Sequence, residues 1–333
     1  IYYDTPRNKK EIKPCKKQVM SIFKNVAVIG TGVIGTGWVI RCLAHGKKVR
    51  AFDINLKYKN NLIKEIRRTW PFVKKMFSTK KLNLNNLSFY TNLNEALMNA
   101  EFIFECSPEN YNIKTKLIEK IGLYSNPKSI ISSSSSGLLP SKIYSKCKYP
   151  ERGLIGHPFN PVYLLPGVEI VPGKKTKIIY LNKAKKFYET ISMNPIMVKK
   201  ELPGYLADRL QEALWREGLH IINENFATTQ ELDRAIEDGP GLRYSLMGTF
   251  LTFHLAGGKQ GMKHMLRQFG PALKLPWTKL KAPILSKKLS YRIIKGTQKQ
   301  ARGKSVSNLA NIRDDYLVNL QILRNKYIKK IRN

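Results

Sequence analysis

The segment Gly30-Thr31-Gly32-Val33-Ile34-Gly35 restricts what this chain can fold into more than any other. It is a G-x-G-x-x-G lying between an apolar run, Val26-Ala27-Val28-Ile29, and a helical stretch through Leu43. The glycine pattern alone is a weak signal. In a strand–turn–helix setting it is the phosphate-cradling turn of a dinucleotide-binding βαβ unit. A second apolar strand over 49–52 ends at Asp53, 18 residues beyond Gly35. A carboxylate at that point accepts hydrogen bonds from ribose hydroxyls and repels a 2′-phosphate, so the expected cofactor is NAD rather than NADP. Gly30 permits the tight turn, Gly32 lets the backbone approach a pyrophosphate, and Gly35 lets the helix pack closely. Thr31, Val33 and Ile34 complete a turn whose free N–H groups face the phosphates at a helix N-terminus.

Further short strands are expected over 102–104, 129–131, 154–155 and 168–171, alternating with helical segments. That alternation predicts an α/β fold, a Rossmann-like doubly wound parallel sheet. Near Pro203-Gly204 the pattern changes. Leu206, Leu210, Ala213 and Leu214 then share one helix face, and strand signals almost vanish. An all-helical C-terminal domain follows. The segment 271–333 holds 16 basic residues and two acids, Asp314 and Asp315. Tyr316, Leu317, Leu320 and Ile322 fall at helical spacing, which predicts a helix there. The expected organisation is a disordered extension or upstream sequence over 1–19, an NAD-binding domain over 20–200, and a helical substrate and dimerisation domain over 201–333.

Composition excludes several classes. Apolar residues make up 42% of the 333 and aromatics 10%, enough for a core, so a wholly disordered chain is ruled out. No run of 18 apolar residues occurs, so no transmembrane helix is expected. Lys and Arg exceed Asp and Glu by 59 to 23, a net charge of +36. Such a charge suits nucleic acid or an anionic surface. The basic residues are spread along the chain and form no nucleic-acid-binding motif, so a basic nucleic-acid-binding protein without catalysis is the alternative of a different class. Cys15, Cys42, Cys106 and Cys147 form no C-x-x-C pair and no zinc spacing, so no metal is expected and reduced thiols in a cytoplasm are.

A catalytic group stands out in Gly156-His157-Pro158-Phe159-Asn160-Pro161, just after the strand over 154–155. Histidine is the side chain best suited to move a proton near neutral pH. Glu169, expected to begin the next strand, is placed to fix its tautomer and steady the imidazolium formed when a hydroxyl proton is taken. Ser132 to Ser136 is a run of five serines. It reads either as a flexible low-complexity loop or, at the C-terminal edge of the sheet, as a source of a substrate-binding hydroxyl at Ser136.

On these residues the chain resembles the 3-hydroxyacyl-CoA dehydrogenase superfamily. The signals are the glycine motif with Asp53, the Ser136-Gly137 pair and the His157-Pro158-Phe159-Asn160-Pro161 segment followed by Val168-Glu169. Finer signals lie in Ala207-Asp208-Arg209-Leu210-Gln211-Glu212, Gly241-Leu242-Arg243-Tyr244-Ser245 and Gln268-Phe269-Gly270-Pro271. These are similar to the carnitine-oxidising branch of the superfamily. The resemblance implies His157 as general base oriented by Glu169, Ser136 and Asn160 at the reacting hydroxyl and nicotinamide, and Glu109 and Lys114 at the cofactor. It implies NAD-dependent oxidation of the 3-hydroxyl of L-carnitine, a homodimer, and no membrane or specific nucleic-acid partner. Other branches, acting on a 3-hydroxyacyl-CoA or on L-gulonate, are the alternatives within the superfamily. One departure bears on them: the acyl-CoA relatives carry asparagine where this chain has Asp208. A trimethylammonium is held by aromatic faces or a carboxylate. Asp208, Tyr244 and Phe253, with Trp215, Phe250 and Trp277 as further aromatics, are candidates for it, and Arg243 for the substrate carboxylate.

Overall fold

The computed structural model describes residues 23–79, 82–246, 248–278, 284 and 286–332. The expected extension over 1–19, with Cys15, lies outside them. Eight strands form one sheet: β1 (Asn25–Ile29), β2 (Lys48–Phe52), β3 (Leu87–Tyr90), β4 (Phe102–Glu105), β5 (Ile130–Ser133), β6 (Gly153–Pro158), β7 (Gly167–Pro172) and β8 (Asn194–Met197). Their order is β3-β2-β1-β4-β5-β6-β7-β8. Helices α1 (Val33–Ala44), α2 (Lys57–Phe77), α3 (Leu93–Leu97), α4 (Tyr111–Tyr124), α5 (Pro140–Ile143) and α6 (Ile178–Thr190) accompany the sheet. The central strands are apolar on both faces, as a sheet covered twice requires. Phe102, Phe104 and Ile130 sit in the core on one side, Ile103 and Ile131 on the other. The order reverses at β1, whose neighbours are β2 and β4, and the crevice at that switch point is where a doubly wound fold binds its ligand.

Two features depart from the expected sheet. β3 and β8 escape the apolar-run reading because both are short, half-exposed edge strands. The pairing of β6 with β7 is antiparallel, where an all-parallel sheet was expected. Only the segment 159–166 joins those strands. A parallel crossover needs a dozen or more residues, so this connection has room only for a reversal.

Two fully buried guanidiniums brace this half. Arg41 of α1 donates to the carbonyls of Val162, Leu165, Ile191 and Ser192. Burial pulls its pKa down to about 9. Arg152 donates to the carbonyls of Gly122, Asn126 and Ser129. Carbonyl oxygens replace water around both charges, which keeps the cost of burying them tolerable, although Arg152 Nε is left without a partner among the described residues.

The second half is helical: α7 (Ala207–Asn223), α8 (Thr229–Glu237), α9 (Pro240–Tyr244), α10 (Thr249–Ala256), α11 (Met262–Phe269), α12 (Lys287–Ala301) and α13 (Val306–Arg332). Thr228 and Glu231 form a capping box that starts α8. The α7 face expected from Leu206, Leu210, Ala213 and Leu214 does not enter a core. Leu206, Leu210 and Leu214 are exposed, while Leu219 and Ile222 are the buried residues of that helix. In α13 the expected helix is present: Asp314, Val318 and Gln321 are buried, and Tyr316 and Ile322 face outward. Val318 joins the core of the first half, beneath α2. Among the described residues no helix is long and apolar enough to cross a membrane.

Candidate active site

The antiparallel pairing of β6 and β7 sets His157 directly opposite Glu169. Cross-strand partners project to the same face about 5 Å apart at Cβ, which is within side-chain hydrogen-bonding reach. His157 lies inside β6 rather than after it, and Glu169 is central in β7 rather than at its start. His157 Nδ1 is 2.8 Å from Glu169 Oε2. Glu169 is fully buried, and its other oxygen accepts from the backbone N–H groups of Leu206 (2.9 Å) and Ala207 (3.1 Å), at the start of α7. A helix N-terminus suits a carboxylate through both its unpaired donors and its dipole. With Nδ1–H donating to Glu169, the lone pair of Nε2 is left for a substrate proton. The rings of Phe159 and Tyr205 flank the imidazole at 5.3 and 5.6 Å.

Asp208, in the first turn of α7, faces that free nitrogen, with Oδ1 at 3.8 Å from His157 Nε2. Burial raises the Asp208 pKa above the usual carboxylate value. Glu169, Glu212 and Glu109 add to the rise by repulsion, and His157 opposes it. A cavity of about 470 Å³ beside Asp208 is lined also by Gly204, Arg209, Glu212 and Arg216. The lining therefore carries two carboxylates and two guanidiniums, with Arg216 paired to Glu212 at 3.3 Å.

The serine run is ordered, and each hydroxyl has a different fate. Ser132 and Ser133 belong to β5. Ser132 Oγ lies 2.7 Å from Tyr188 Oη, and Ser133 Oγ donates to Glu105. Ser134 Oγ accepts from Trp38 Nε1 at 3.0 Å. Ser135 Oγ donates to Glu109 Oε1 at 2.6 Å. Ser136 is exposed, and its backbone N–H, with that of Gly137, also donates to Glu109 Oε1. Only the Ser136 hydroxyl is left without a hydrogen bond among the described residues. Asn160 is exposed on the turn leaving β6.

Glu109 and Lys114, expected at the cofactor, are engaged by the chain's own groups. Lys114 is buried, with Nζ 3.2 Å from Glu105 Oε2, 3.6 Å from Glu109 Oε2 and 2.9 Å from the Ser107 carbonyl. Glu105 closes β4 and is fully buried, bound also by Ser107 and Ser133. It was not singled out in the sequence. A carboxylate ending an apolar strand, nine residues before a lysine on the next helix, is the signal that would have marked it.

The glycine turn fits a dinucleotide. Gly30 has φ +97°, and a Cβ there would meet the Cys106 carbonyl at 2.7 Å. A Cβ on Gly35 would lie 1.8 Å from the Gly30 carbonyl. Over Gly32, where α1 begins without a side-chain cap, no heavy atom comes within 4 Å, which leaves space for a phosphate against the free N–H groups of α1. Thr31 donates to Asp53 Oδ2 through both its N–H (2.8 Å) and its hydroxyl (2.7 Å), so the turn itself holds the carboxylate expected at the ribose. Val33 is exposed at the entry of α1, and Ile34 packs on the core.

The remaining expected substrate residues stand apart. Arg243 and Tyr244 lie on α9 and Phe253 on α10. None has a hydrogen bond, ion pair or ring contact with His157, Ser136 or Asp208 among the described residues. Trp215, Phe250 and Trp277 are likewise exposed.

Comparison with known proteins follows the same division. Residues 25–202 match the model of the 3-hydroxyacyl-CoA dehydrogenase NAD-binding domain, and residues 204–296 that of its C-terminal domain. The chain is 48% identical over 295 residues to an L-carnitine dehydrogenase of Pseudomonas putida, covering 89% of this chain and 92% of that one. It is 44% identical over 301 residues to an L-carnitine dehydrogenase of Staphylococcus epidermidis, covering 90% and 94%. Among solved structures it is similar to an NAD-dependent 5-formyl-3-hydroxy-2-methylpyridine 4-carboxylic acid 5-dehydrogenase. That match has a TM-score of 0.77 and 20% identity, covering 91% of this chain and 98% of that one, a likeness of fold.

Proposed function

The chain belongs to the 3-hydroxyacyl-CoA dehydrogenase family and is an NAD-dependent oxidoreductase, and on that premise we propose that it oxidises the 3-hydroxyl of L-carnitine to 3-dehydrocarnitine. The observation that carries the substrate is Asp208, 3.8 Å from His157 Nε2, with Glu109, Glu169 and Glu212 nearby. A substrate seated at His157 meets the Asp208 carboxylate there, while Glu212 is paired with Arg216, Glu109 with Lys114 and Glu169 with His157. A trimethylammonium is attracted by that field. An acyl-CoA or gulonate brings negative charge and no cation, and is repelled.

The geometry supports the following roles for the chain's own groups. Glu169 holds Nδ1–H, so Nε2 of His157 takes the hydroxyl proton. The Ser136 hydroxyl and the Asn160 amide hold the substrate oxygen in line with Nε2. NAD, when bound, supplies the hydride acceptor. Gly30, Thr31, Gly32, Val33, Ile34 and Gly35 bind its phosphates and Asp53 its ribose, while Glu109 and Lys114 shape the wall of the crevice.

The active form in this reading is a homodimer. Phe250 is 85% exposed, Trp277 70% and Leu210 71%, and α8, α9 and α11 bury no residue at all. Apolar surface on this scale marks an interface, and a second copy of the helical half is the occupant that matches it. In that assembly Arg243, Tyr244 and Phe253 contribute to the substrate end of the site. The enzyme is cytoplasmic, in keeping with the free thiols of Cys42, Cys106 and Cys147.

Initial rates of NADH formation with L-carnitine, D-carnitine, a short 3-hydroxyacyl-CoA and gulonate test the reading. L-carnitine alone is expected to turn over. Asp208→Asn is expected to raise KM for L-carnitine about tenfold, equivalent to ~1.4 kcal/mol. Turnover of the acyl-CoA without turnover of carnitine rejects the proposal.

A further inference from the structure

The segment 271–333 contains two carboxylates, and both dock on the NAD-binding half. Asp315 pairs with Lys75 of α2 at 3.3 Å. Asp314 is fully buried, although α13 is otherwise largely exposed. Its Oδ1 accepts from Arg313 Nε (3.0 Å) and Nη2 (2.8 Å). Its Oδ2 accepts the hydroxyl of Tyr163 at 2.5 Å and lies 3.9 Å from Arg68 Nη1. Arg68 also donates to Asn311, one turn earlier on α13. Beneath this polar group Val318 enters the core of the first half.

Tyr163 is not a remote anchor. It stands three residues beyond Asn160 and six beyond His157. Its turn is tight: the N–H groups of Leu164 and Leu165 both donate to the Pro161 carbonyl. On the other side, Arg41 holds the carbonyls of Val162 and Leu165, and Val162 packs against Gly37 of α1. The turn is therefore gripped from one side by the helix of the glycine motif and from the other by α13. A phenol hydroxyl bonded to a buried carboxylate is a strong, directional contact. Both partners are buried, so water does not compete for it.

We propose that α13 is a clasp that fixes the turn carrying Asn160, with Asp314 as a positioning residue acting through Tyr163. The clasp sets the angle at which His157 and Asn160 meet the reacting hydroxyl. Neither Asp314 nor Tyr163 touches substrate. The clasp lies beyond the part of the chain that matches the C-terminal family model, which ends at residue 296. The inference rests on His157 and Asn160 acting at the reacting hydroxyl.

The test is a double-mutant cycle with Tyr163→Phe, Asp314→Asn and the pair, assayed with the substrate that the wild type turns over, with His157→Ala in parallel. Tyr163→Phe removes one hydroxyl and keeps the ring, so it folds even where Asp314→Asn does not. Each single variant is expected to lower kcat about tenfold, part of the roughly hundredfold that a displacement of a full ångström at a reacting centre can cost. The double variant is expected to be no slower than the slower single, since both remove one contact. KM for NAD is expected to stay within about twofold of wild type, because the glycine turn is untouched. Wild-type kcat in folded Tyr163→Phe, with only a lower Tm, overturns the clasp and leaves a purely structural tie. Strictly additive losses overturn the route through Tyr163. Full activity in His157→Ala overturns instead the reading of the site on which the clasp rests.

Discussion

The NAD-binding half and the helical half handle their apolar residues in opposite ways. In the first, β4 and β5 are buried along their lengths and β1 beyond its first residue, and even two guanidiniums are buried against backbone carbonyls. In the second, α7 turns Leu206, Leu210 and Leu214 to solvent, and α10 buries only Thr252. The first half has the contacts it needs within one chain. The second leaves apolar faces uncovered among the described residues. The residues proposed for the chemistry lie on the line between them: Glu169 reaches from β7 to the first N–H groups of α7, and Asp208 reaches back from α7 to His157.

The comparison is broken most directly at that line. His157→Ala is expected to lower kcat by ~10³-fold or more, the upper range for a general base, while NADH binds with nearly wild-type affinity. Fluorescence titration of NADH beside steady-state rates reads both, and a parallel loss of NADH binding would mean that the halves are not chemically separable. The next effect is on assembly. Leu210→Asp places a charge in the exposed α7 face, and sedimentation is expected to show a species of half the mass with a lower Tm for the helical part. An unchanged mass would mean that this face is covered by something other than a second copy.

The smallest effect belongs to the first half alone. His45, at the end of α1, is bonded to the Arg41 carbonyl and to Ser192 Oγ, both at 2.8 Å. Burial, with repulsion from Arg41 and Lys47, depresses its pKa to about 4. The unfolded chain therefore binds a proton between about pH 6.5 and 4 that the folded chain refuses, so stability falls as pH is lowered through that window. Denaturant unfolding at pH 7 and pH 5 is expected to differ by about 2 kcal/mol from this group. The difference is expected to shrink in His45→Gln. An undiminished difference in that variant would place the acid sensitivity elsewhere.

Much of the first half was legible because its signals are local. The glycine turn, Asp53 and the strands around them follow from residues adjacent in sequence. His157 and Glu169 were legible as a pair, but their geometry was not, because the short 159–166 connection was not weighed against the length a parallel crossover needs. Glu105 was missed because it reads as the polar end of a strand until Lys114 is folded back onto it. Asp314 and Tyr163 are 151 residues apart, and nothing local in either announces the other. What covers the face of α7 was not legible for a related reason. Helical periodicity identifies an apolar stripe but does not say whether its partner is the same chain or another.

The serine run has a consequence of its own. Five identical residues occupy five unlike environments, and only Ser136 presents a free hydroxyl. Removing any one of them yields the same polypeptide, whichever codon is lost. Counted from β5, the four survivors fill positions 132 to 135, where the bonds to Tyr188, Glu105, Trp38 and Glu109 are made. Gly137 then moves into position 136, so the hydroxyl lost is the free one, whichever serine is deleted. A tract that looks like the most dispensable stretch of the sequence, able to lengthen or shorten by copying error, is therefore a ruler on which each mark has a fixed value.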